Sequence, residues 1–119
     1  MYTQIRNVTE IDAGPAPFPN TRGQVTIQVL NADTSLGPAL VRMVMDPGAE
    51  IARHFHTGQV ETDYILEGVF FNEGTAYPAG TELNVKPGQV HGPHSTTIGV
   101  TLLVMFTGNV DFNDFQLAS

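Results

Sequence analysis

Apolar and polar residues alternate along several short segments of the chain, and turn-forming residues bound most of these segments. Alternation is typical of a half-buried β-strand, in which every second side chain faces the core. Two segments show it clearly, Gln24–Leu30 and Ala39–Met45, and in the second Val41, Met43 and Met45 fall on one face. Further strands are predicted at Thr62–Glu67, Val69–Phe71, Thr81–Val85 and Ile98–Phe106, the last being the longest apolar run.

Turn residues separate these strands at intervals of about 8–12 residues. The 12 glycines and 8 prolines include predicted turns at Asn72-Glu73-Gly74, Tyr77-Pro78-Ala79-Gly80 and Pro87-Gly88. Short strands with frequent turns favour an all-β fold over one built from long helices. We expect a double-stranded β-helix, or jelly roll, because such a barrel closes its sheet edges and leaves an interior cavity.

The length of the chain limits its organisation. A chain of 119 residues can form one hydrophobic core but not two, so we expect a single domain. Within it, residues 1–23 are expected to form a proline-rich arm, residues 24–107 the barrel and residues 108–119 a tail. Phe18 in the arm would pack either on the barrel wall or on a second subunit.

The composition excludes several kinds of site and partner. Without cysteine, the chain has no disulfide and no thiolate ligand, so any metal must be held by nitrogen and oxygen. The net charge of −7 argues against a nucleic-acid or anionic-membrane partner, because both bind basic surfaces. No apolar run approaches the roughly 20 residues of a membrane span and no signal peptide is recognisable, so we expect a cytoplasmic protein.

The richest chemistry lies in the stretch between Gly48 and Gly68. His54 and His56 are two residues apart, a spacing that places both imidazoles on one face of a strand, and Glu61 follows after a flexible Thr-Gly pair. A third imidazole, His91, comes just after the turn at Pro87-Gly88. Three imidazoles and one carboxylate can hold a divalent transition metal. The sequence therefore predicts one metal ion bound by His54, His56, Glu61 and His91, with Fe(II) favoured and Zn, Mn or Ni as alternatives.

The same residues resemble the motifs of the cupin superfamily. Gly48, His54, His56, Glu61 and Gly68 have the spacing of the first cupin motif. The second motif is matched less closely by Gly80 and Pro87-Gly88-Gln89-Val90-His91, and Ser95 stands near the usual asparagine. The resemblance covers about residues 40–107. It is strongest to two kinds of small cupin, the cupin half of zinc-binding anti-sigma factors and the diketone-cleaving non-haem iron dioxygenases. Because small cupins resemble one another in forming pairs, the resemblance implies that this chain forms a homodimer.

Three further side chains leave alternatives open. Glu61 stands one position later than the carboxylate of the zinc-binding relatives, so it is either a fourth ligand, which we favour slightly, or an acceptor that orients a histidine or a water. His94 follows His91 at odd spacing, and we expect it at the pocket mouth or surface rather than as a ligand. Tyr64 is either a phenolic acid or base in the cavity or a packing residue.

These features give three functional hypotheses. The first is a dioxygenase that uses Fe(II) to cleave a small dicarbonyl or hydroxyketone, because inward-facing apolar side chains suit such a substrate. The second is a non-catalytic module that senses a metal or small ligand, as the anti-sigma resemblance implies. The third is a metal-assisted isomerase or lyase, which the scarcity of Lys and Arg near the motifs makes less suited to an anionic substrate.

Overall fold

A computed structural model describes all residues 1–119 of the chain. Nine strands form one curled sheet and two form a small separate sheet, with all named pairs antiparallel. The elements are a 3₁₀ turn at Val8–Glu10 and the strands β1 (Gly14–Pro15), β2 (Val25–Asn31), β3 (Ala39–Met45), β4 (Glu50–Ile51), β5 (His54–Phe55), β6 (Glu61–Asn72), β7 (Thr75–Pro78), β8 (Glu82–Val85), β9 (His94–Ser95), β10 (Val100–Phe106) and β11 (Gln116–Leu117). No helix in the structure has the length and apolar character needed to cross a bilayer.

The core forms where the predicted alternation places it. In β3 every second side chain is buried, from Ala39 to Met45, and β10 pairs with β3 along its full length. In β10 the inward residues are Leu102 and Val104, whereas Leu103 and Met105 lie on the outer side and are only half-buried. A continuous apolar run such as Ile98–Phe106 does not show by itself which of its residues point inward, and the structure assigns the inner face to Leu102 and Val104.

The central strand β6 serves both halves of the sheet. Its first part pairs with β8 and β10, and its last residues pair with β7 and β9. The sequence predicted two strands separated at Gly68, but the chain continues through it with a bulge against β10. Gly68 has a φ of 86°, and a Cβ there would lie 2.0 Å from the Gly99 carbonyl oxygen, so only glycine fits this close approach. Likewise, the predicted turn at Tyr77–Gly80 begins inside β7.

Both end segments of the chain pack onto the sheet. In the expected arm, β1 pairs with β2, and Phe18 stacks on Phe115 with a centroid separation of 4.9 Å. In the expected tail, β11 pairs with β5, which carries His54. Phe18 thus packs within its own chain, as the first of the two alternatives for it predicted. The all-β prediction is confirmed, and the fold is the double-stranded β-helix.

Candidate metal centre

His54 and His91 are joined through their backbones. Each donates its N–H to the carbonyl oxygen of the other at 2.9 Å, which makes them a directly opposed antiparallel pair. Opposed residues project to the same face, so the two rings lie with centroids 4.2 Å apart. The turn at Pro87–Gly88 fixes this pairing, because the Gly88 N–H donates to the His56 carbonyl oxygen at 2.7 Å.

Glu61 lies at the start of β6 and faces the histidines. One of its carboxylate oxygens is 3.1 Å from Nε2 of His56, and the other is 3.8 Å from Nε2 of His91. The loop between His56 and Glu61 is held by Asp114, whose carboxylate accepts N–H groups from Thr57 and Gly58 at 2.9–3.0 Å. The one-residue displacement of Glu61 relative to the zinc-binding relatives therefore does not prevent its carboxylate from reaching the imidazoles.

Backbone carbonyl groups orient the three predicted imidazoles. Nδ1 of His54 lies 2.7 Å from the Ala52 carbonyl oxygen, Nδ1 of His91 lies 3.4 Å from that of Gln89, and Nδ1 of His56 contacts that of Asp114. A carbonyl oxygen only accepts, so Nδ1 carries the proton and donates in each case. In the neutral rings of His54 and His91 this leaves Nε2 as a free lone pair, which is the form that binds a metal. Nε2 of His56 instead faces the Glu61 carboxylate at 3.1 Å, so this nitrogen must give up its proton before it can bind an ion.

His94 contradicts the sequence interpretation. It was expected at the mouth or surface, but it is 5% exposed, and its ring centroid lies 5.0 Å from that of His91 and 5.5 Å from that of His54. Gly92, with a φ of 85°, redirects the chain before it, so the odd spacing no longer places His94 on the opposite face.

The alternation of β6 determines which of the residues after Glu61 face inward. Asp63 shares the inward face of β6 with Glu61 and is 6% exposed, whereas Tyr64 points outward with 38% exposure. The role of Tyr64 as an acid or base in the cavity is therefore wrong, because its side chain lies on the outer face of β6 and does not line the cavity. Asp63 was not among the residues predicted for the site, although its spacing of two from Glu61 places both side chains on the same face of a strand.

Burial and mutual contacts shift the pKa values of this cluster. Burial opposes ionisation of Glu61, but hydrogen bonds from His56 and Asp63 outweigh it and lower the pKa of Glu61 to about 2. Burial, followed by the charge of Glu61, raises the pKa of Asp63 well above its usual value. Burial lowers the pKa of His54 to about 4 and that of His94 to about 3, whereas Glu61 raises that of His56 against its burial. Two buried imidazoles are thus neutral at pH 7, next to one anionic carboxylate.

The donors form two overlapping groups. Ligand atoms of His54, His91 and His94 lie within 4.8 Å of one another, and the same holds for His56, Glu61 and His91. No single group contains all four predicted ligands, since His54 and His56 fall in different groups. Nε2 of His91, which belongs to both, is buried without a hydrogen-bond partner. Such an orphaned nitrogen among imidazole and carboxylate donors fits a divalent transition metal.

A cavity of about 50 Å³ is lined by His54, His56, Glu61 and His94, whereas His91 lines a neighbouring pocket together with Asp63 and His94. The walls of the cavity are mainly apolar, and aromatic side chains from both end segments cover it. Phe115 stacks directly on His54 with centroids 3.9 Å apart, and Phe18 stacks on Phe115. The acidic lining residues are Glu61, Asp63, Asp111 and Asp114, and no Lys or Arg contributes to the lining.

Comparison with known proteins places the fold and the family. The profile of the ChrR cupin-like domain matches residues 7–111. The sequence matches none of the curated proteins.

Three solved structures illustrate the structural likeness. The polyketide cyclase RemF from Streptomyces resistomycificus has a TM-score of 0.77 at 20% identity, over 100% of this chain and 87% of that one. An acetylacetone dioxygenase from Acinetobacter johnsonii has a TM-score of 0.70 at 20% identity, over 100% and 83%. An RmlC-like cupin from Shewanella frigidimarina has a TM-score of 0.66 at 22% identity, over 85% and 86%. At these identities the likeness establishes the fold, and the profile match over most of the chain shows that the protein belongs to the family of ChrR cupin-like domains.

Proposed function

We propose that the protein is a metal-dependent dioxygenase that cleaves a small, neutral dicarbonyl or hydroxyketone. The observation that carries the proposal is a cluster of imidazole nitrogens and one carboxylate at the floor of an apolar cavity. Metal ligands that open onto an apolar pocket allow a substrate to chelate the ion while its carbon substituents leave water. The structural likeness to an acetylacetone dioxygenase agrees with this proposal but does not carry it.

The charge of the cavity supports a neutral substrate. The carboxyl groups of Glu61, Asp63, Asp111 and Asp114 line the cavity, and no Lys or Arg balances them. Burial and the charge of Glu61 raise the pKa of Asp63, which disfavours a second negative charge beside Glu61. No Lys or Arg lines the cavity to bind the anionic group of a phosphorylated sugar or a dicarboxylic acid, which makes the isomerase or lyase alternative for an anionic substrate less suitable.

The residues divide the work of binding and orientation. The proposed ligands are His54, His56, His91 and Glu61. Backbone carbonyl groups fix the orientation of the three imidazoles by accepting hydrogen bonds from Nδ1. Bound at these donors, Fe(II) would supply Lewis-acid polarisation of the carbonyl oxygens and a centre for O₂ activation. The stacked rings of Phe18 and Phe115 form part of the apolar lining, on which the carbon substituents of a substrate could pack.

The size of the cavity adds a condition to this proposal. About 50 Å³ accommodates only a few water molecules, so a dicarbonyl can enter only when the aromatic cover moves. The same observation favours one second candidate, a sensor that binds a metal ion without turnover, because such a function needs no space for a substrate.

Metal analysis and oxygen uptake test the proposal together. Protein purified without oxygen is loaded with Fe(II), and its metal content is measured before a panel of neutral diketones and hydroxyketones is added. We expect one iron per chain and O₂ consumption that depends on both the metal and the diketone. Full metal occupancy without O₂ uptake for any substrate would favour the sensor, and failure to bind metal would refute both functions.

His91→Ala is the matched variant, because His91 belongs to both donor groups. We expect it to abolish metal uptake while the circular dichroism spectrum of the fold persists. Retained stoichiometric metal in this variant would show that the ligand assignment is wrong.

A further inference from the structure

His94 is a buried histidine whose Nδ1 has no hydrogen-bond partner. It lies in the short strand β9, it is 5% exposed, and Nδ1 has no hydrogen-bond partner in the structure. The imidazoles of His54 and His91 lie on one side, and Phe70 packs against the ring with a centroid separation of 4.8 Å. Burying a polar nitrogen without a partner costs about 1–3 kcal/mol, so a structural role alone does not account for a histidine here.

The environment of His94 is that of a metal donor. Neither a carbonyl oxygen nor a hydroxyl group bonds to Nδ1, whereas two other imidazoles offer ligand atoms within 4.8 Å. Three donors on one ion at bonds of about 2.1 Å stand about 3.4–3.6 Å apart, so ligand atoms that lie within 4.8 Å of one another must approach by about 1 Å. His54, His91 and His94 therefore need only a small contraction to meet on a common ion.

His54 and His56, in contrast, do not belong to one group of donors. The set of ligands predicted from the sequence is thus divided between two groups that share His91. The group with Glu61 includes the half-buried His56, whereas all three members of the other group are at most 5% exposed. The second group is the more deeply buried of the two.

We propose that His94 is a metal ligand, which with His54 and His91 gives the centre a second, deeper position for a transition-metal ion. The proposal rests on the proposed function only in requiring that the chain binds a metal. The deeper position consists of three neutral imidazoles, so an ion there keeps its full charge, whereas Glu61 reduces that charge by one in the outer position. Imidazole donors suit Zn, Cu, Fe and Ni better than Mg or Ca, so the deeper position selects the former metals.

Nitrogen NMR of the unmodified protein tests this without any substitution. The chain is labelled with ¹⁵N in its four histidines and titrated with Zn(II), which is diamagnetic. We expect one Zn(II) per chain and a ring nitrogen of His94 with the chemical shift of a metal-bound imidazole. Zinc binding with an unchanged His94 ring would overturn this proposal and leave the metal centre intact, whereas absence of any zinc binding would overturn the proposed function as well.

Two substitutions provide the affinity test. His94→Phe removes the donor but keeps an aromatic ring of similar size, and we expect it to lower Zn(II) affinity at least about 10-fold, as loss of a supporting group does elsewhere. Phe70→Leu is the control, because it alters packing against His94 and removes no donor. Equal affinities of His94→Phe and the unmodified protein would contradict the proposal.

The third variant, Glu61→Gln, separates the two positions. We expect the zinc ion in this variant to remain coordinated by His94, since the deeper group does not use the carboxylate. Loss of the metal-bound His94 signal in Glu61→Gln would show that there is only one position, organised around Glu61.

Discussion

The carboxylate of Glu61 determines the charge at the floor of the cavity. It lies between His56 and His91 and is ionised, because hydrogen bonds from His56 and Asp63 outweigh the cost of burial. Its contacts with both imidazoles support our preference for Glu61 as a ligand, which remains a prediction. A carboxylate ligand would occupy one position on the ion and leave fewer for substrate and O₂.

Replacing Glu61 by Gln tests its role quantitatively. The change turns an anionic oxygen donor into a neutral one, so we expect the affinity for Fe(II) at the outer position, which includes Glu61, to fall by at least about 10-fold. Competition with a chromophoric chelator measures the affinity, and the exposed Glu67→Gln on the same strand is the control. Equal affinities for Glu61→Gln and the unmodified protein would show that the carboxylate contributes nothing to metal binding.

The pH dependence of the metal-free protein tests the environment of His94. Burial, followed by the charges of His91 and His54, lowers its pKa to about 3, whereas the unfolded chain protonates near 6.5. The unfolded state therefore binds a proton between these values that the folded state does not, and the free energy of unfolding falls as the pH decreases from 6.5 towards 3. His94→Phe lacks this penalty.

We expect the unmodified protein to lose stability relative to His94→Phe by up to about 1.4 kcal/mol per pH unit over this window. Urea unfolding of both proteins, in the presence of a chelator, measures the difference at each pH. A difference independent of pH would show that the imidazole is not held neutral by the fold.

The sequence predicted part of this site for identifiable reasons. The His-x-His spacing and the turn before His91 are local features, and the structure brings the three imidazole rings within 5.3 Å of one another between centroids. Their role as metal ligands stays a prediction. The inward position of Asp63 follows from the face of β6 on which it lies. The inward position of His94 depends on the backbone conformation at Gly92. The latter becomes visible only when the chain is folded.

At the scale of elements, the histidine strand β5 has only two residues and depends on its neighbours. It pairs with β11 on one side, and His91 pairs with His54 on the other. Phe115 precedes β11 and is 9% exposed, with its ring stacked on His54. The segment that leads into β11 therefore both supports the strand and covers the cavity.

Truncating Phe115 tests this double role. We expect Phe115→Ala to lower the free energy of unfolding by about 3–5 kcal/mol, since it removes a buried aromatic ring and leaves a cavity. Leu117→Ala is the control in the same segment, and with 47% exposure its effect should stay within about 0.5 kcal/mol. Denaturant unfolding measures both, and similar values for the two variants would contradict a supporting role for Phe115.

The pattern of the sequence predicted strands better than their continuity. Alternation located β2, β3 and β8 to within a residue or two, because one face of each strand is more buried than the other; in β8 that face is only partly buried. The pattern predicted a break in β6 at Gly68, but the strand continues through this residue, which lies in close contact with the backbone of Gly99. The sequence pattern also could not predict the pairing of β11 with β5, because a strand of two residues is too short to show an alternation.

At the scale of the whole molecule, the outer surface carries apolar side chains that the fold leaves uncovered. Tyr2 and Ile5 in the arm are 81% and 82% exposed, and Leu66 on the outer face of β6 is 43% exposed. Phe18 is used within the chain, so it no longer supports the predicted homodimer. The exposed residues at the beginning of the arm are now the better basis for that prediction.

Light scattering tests the homodimer. We expect a mass twice the 12.8 kDa of one chain at micromolar concentration, because pairing would bury the exposed arm residues. Ile5→Asp should shift the protein towards the monomer, whereas Leu36→Asp, in a loop with 52% exposure, serves as a control for added charge. A single 12.8 kDa species for the unmodified protein would refute the prediction.

The pairing of β5 with β11 has a consequence for when a metal can be acquired. During synthesis all four histidines emerge before Phe115 does, so the imidazoles are available to ions while nothing yet covers them. Once Phe115 has stacked on His54, an ion must pass the aromatic cover to reach the same nitrogens. An ion captured early would then be retained by a barrier to exchange rather than by affinity alone. The metal found in the purified protein would in that case reflect the supply of ions where the chain folds, and exchange after folding would be slow.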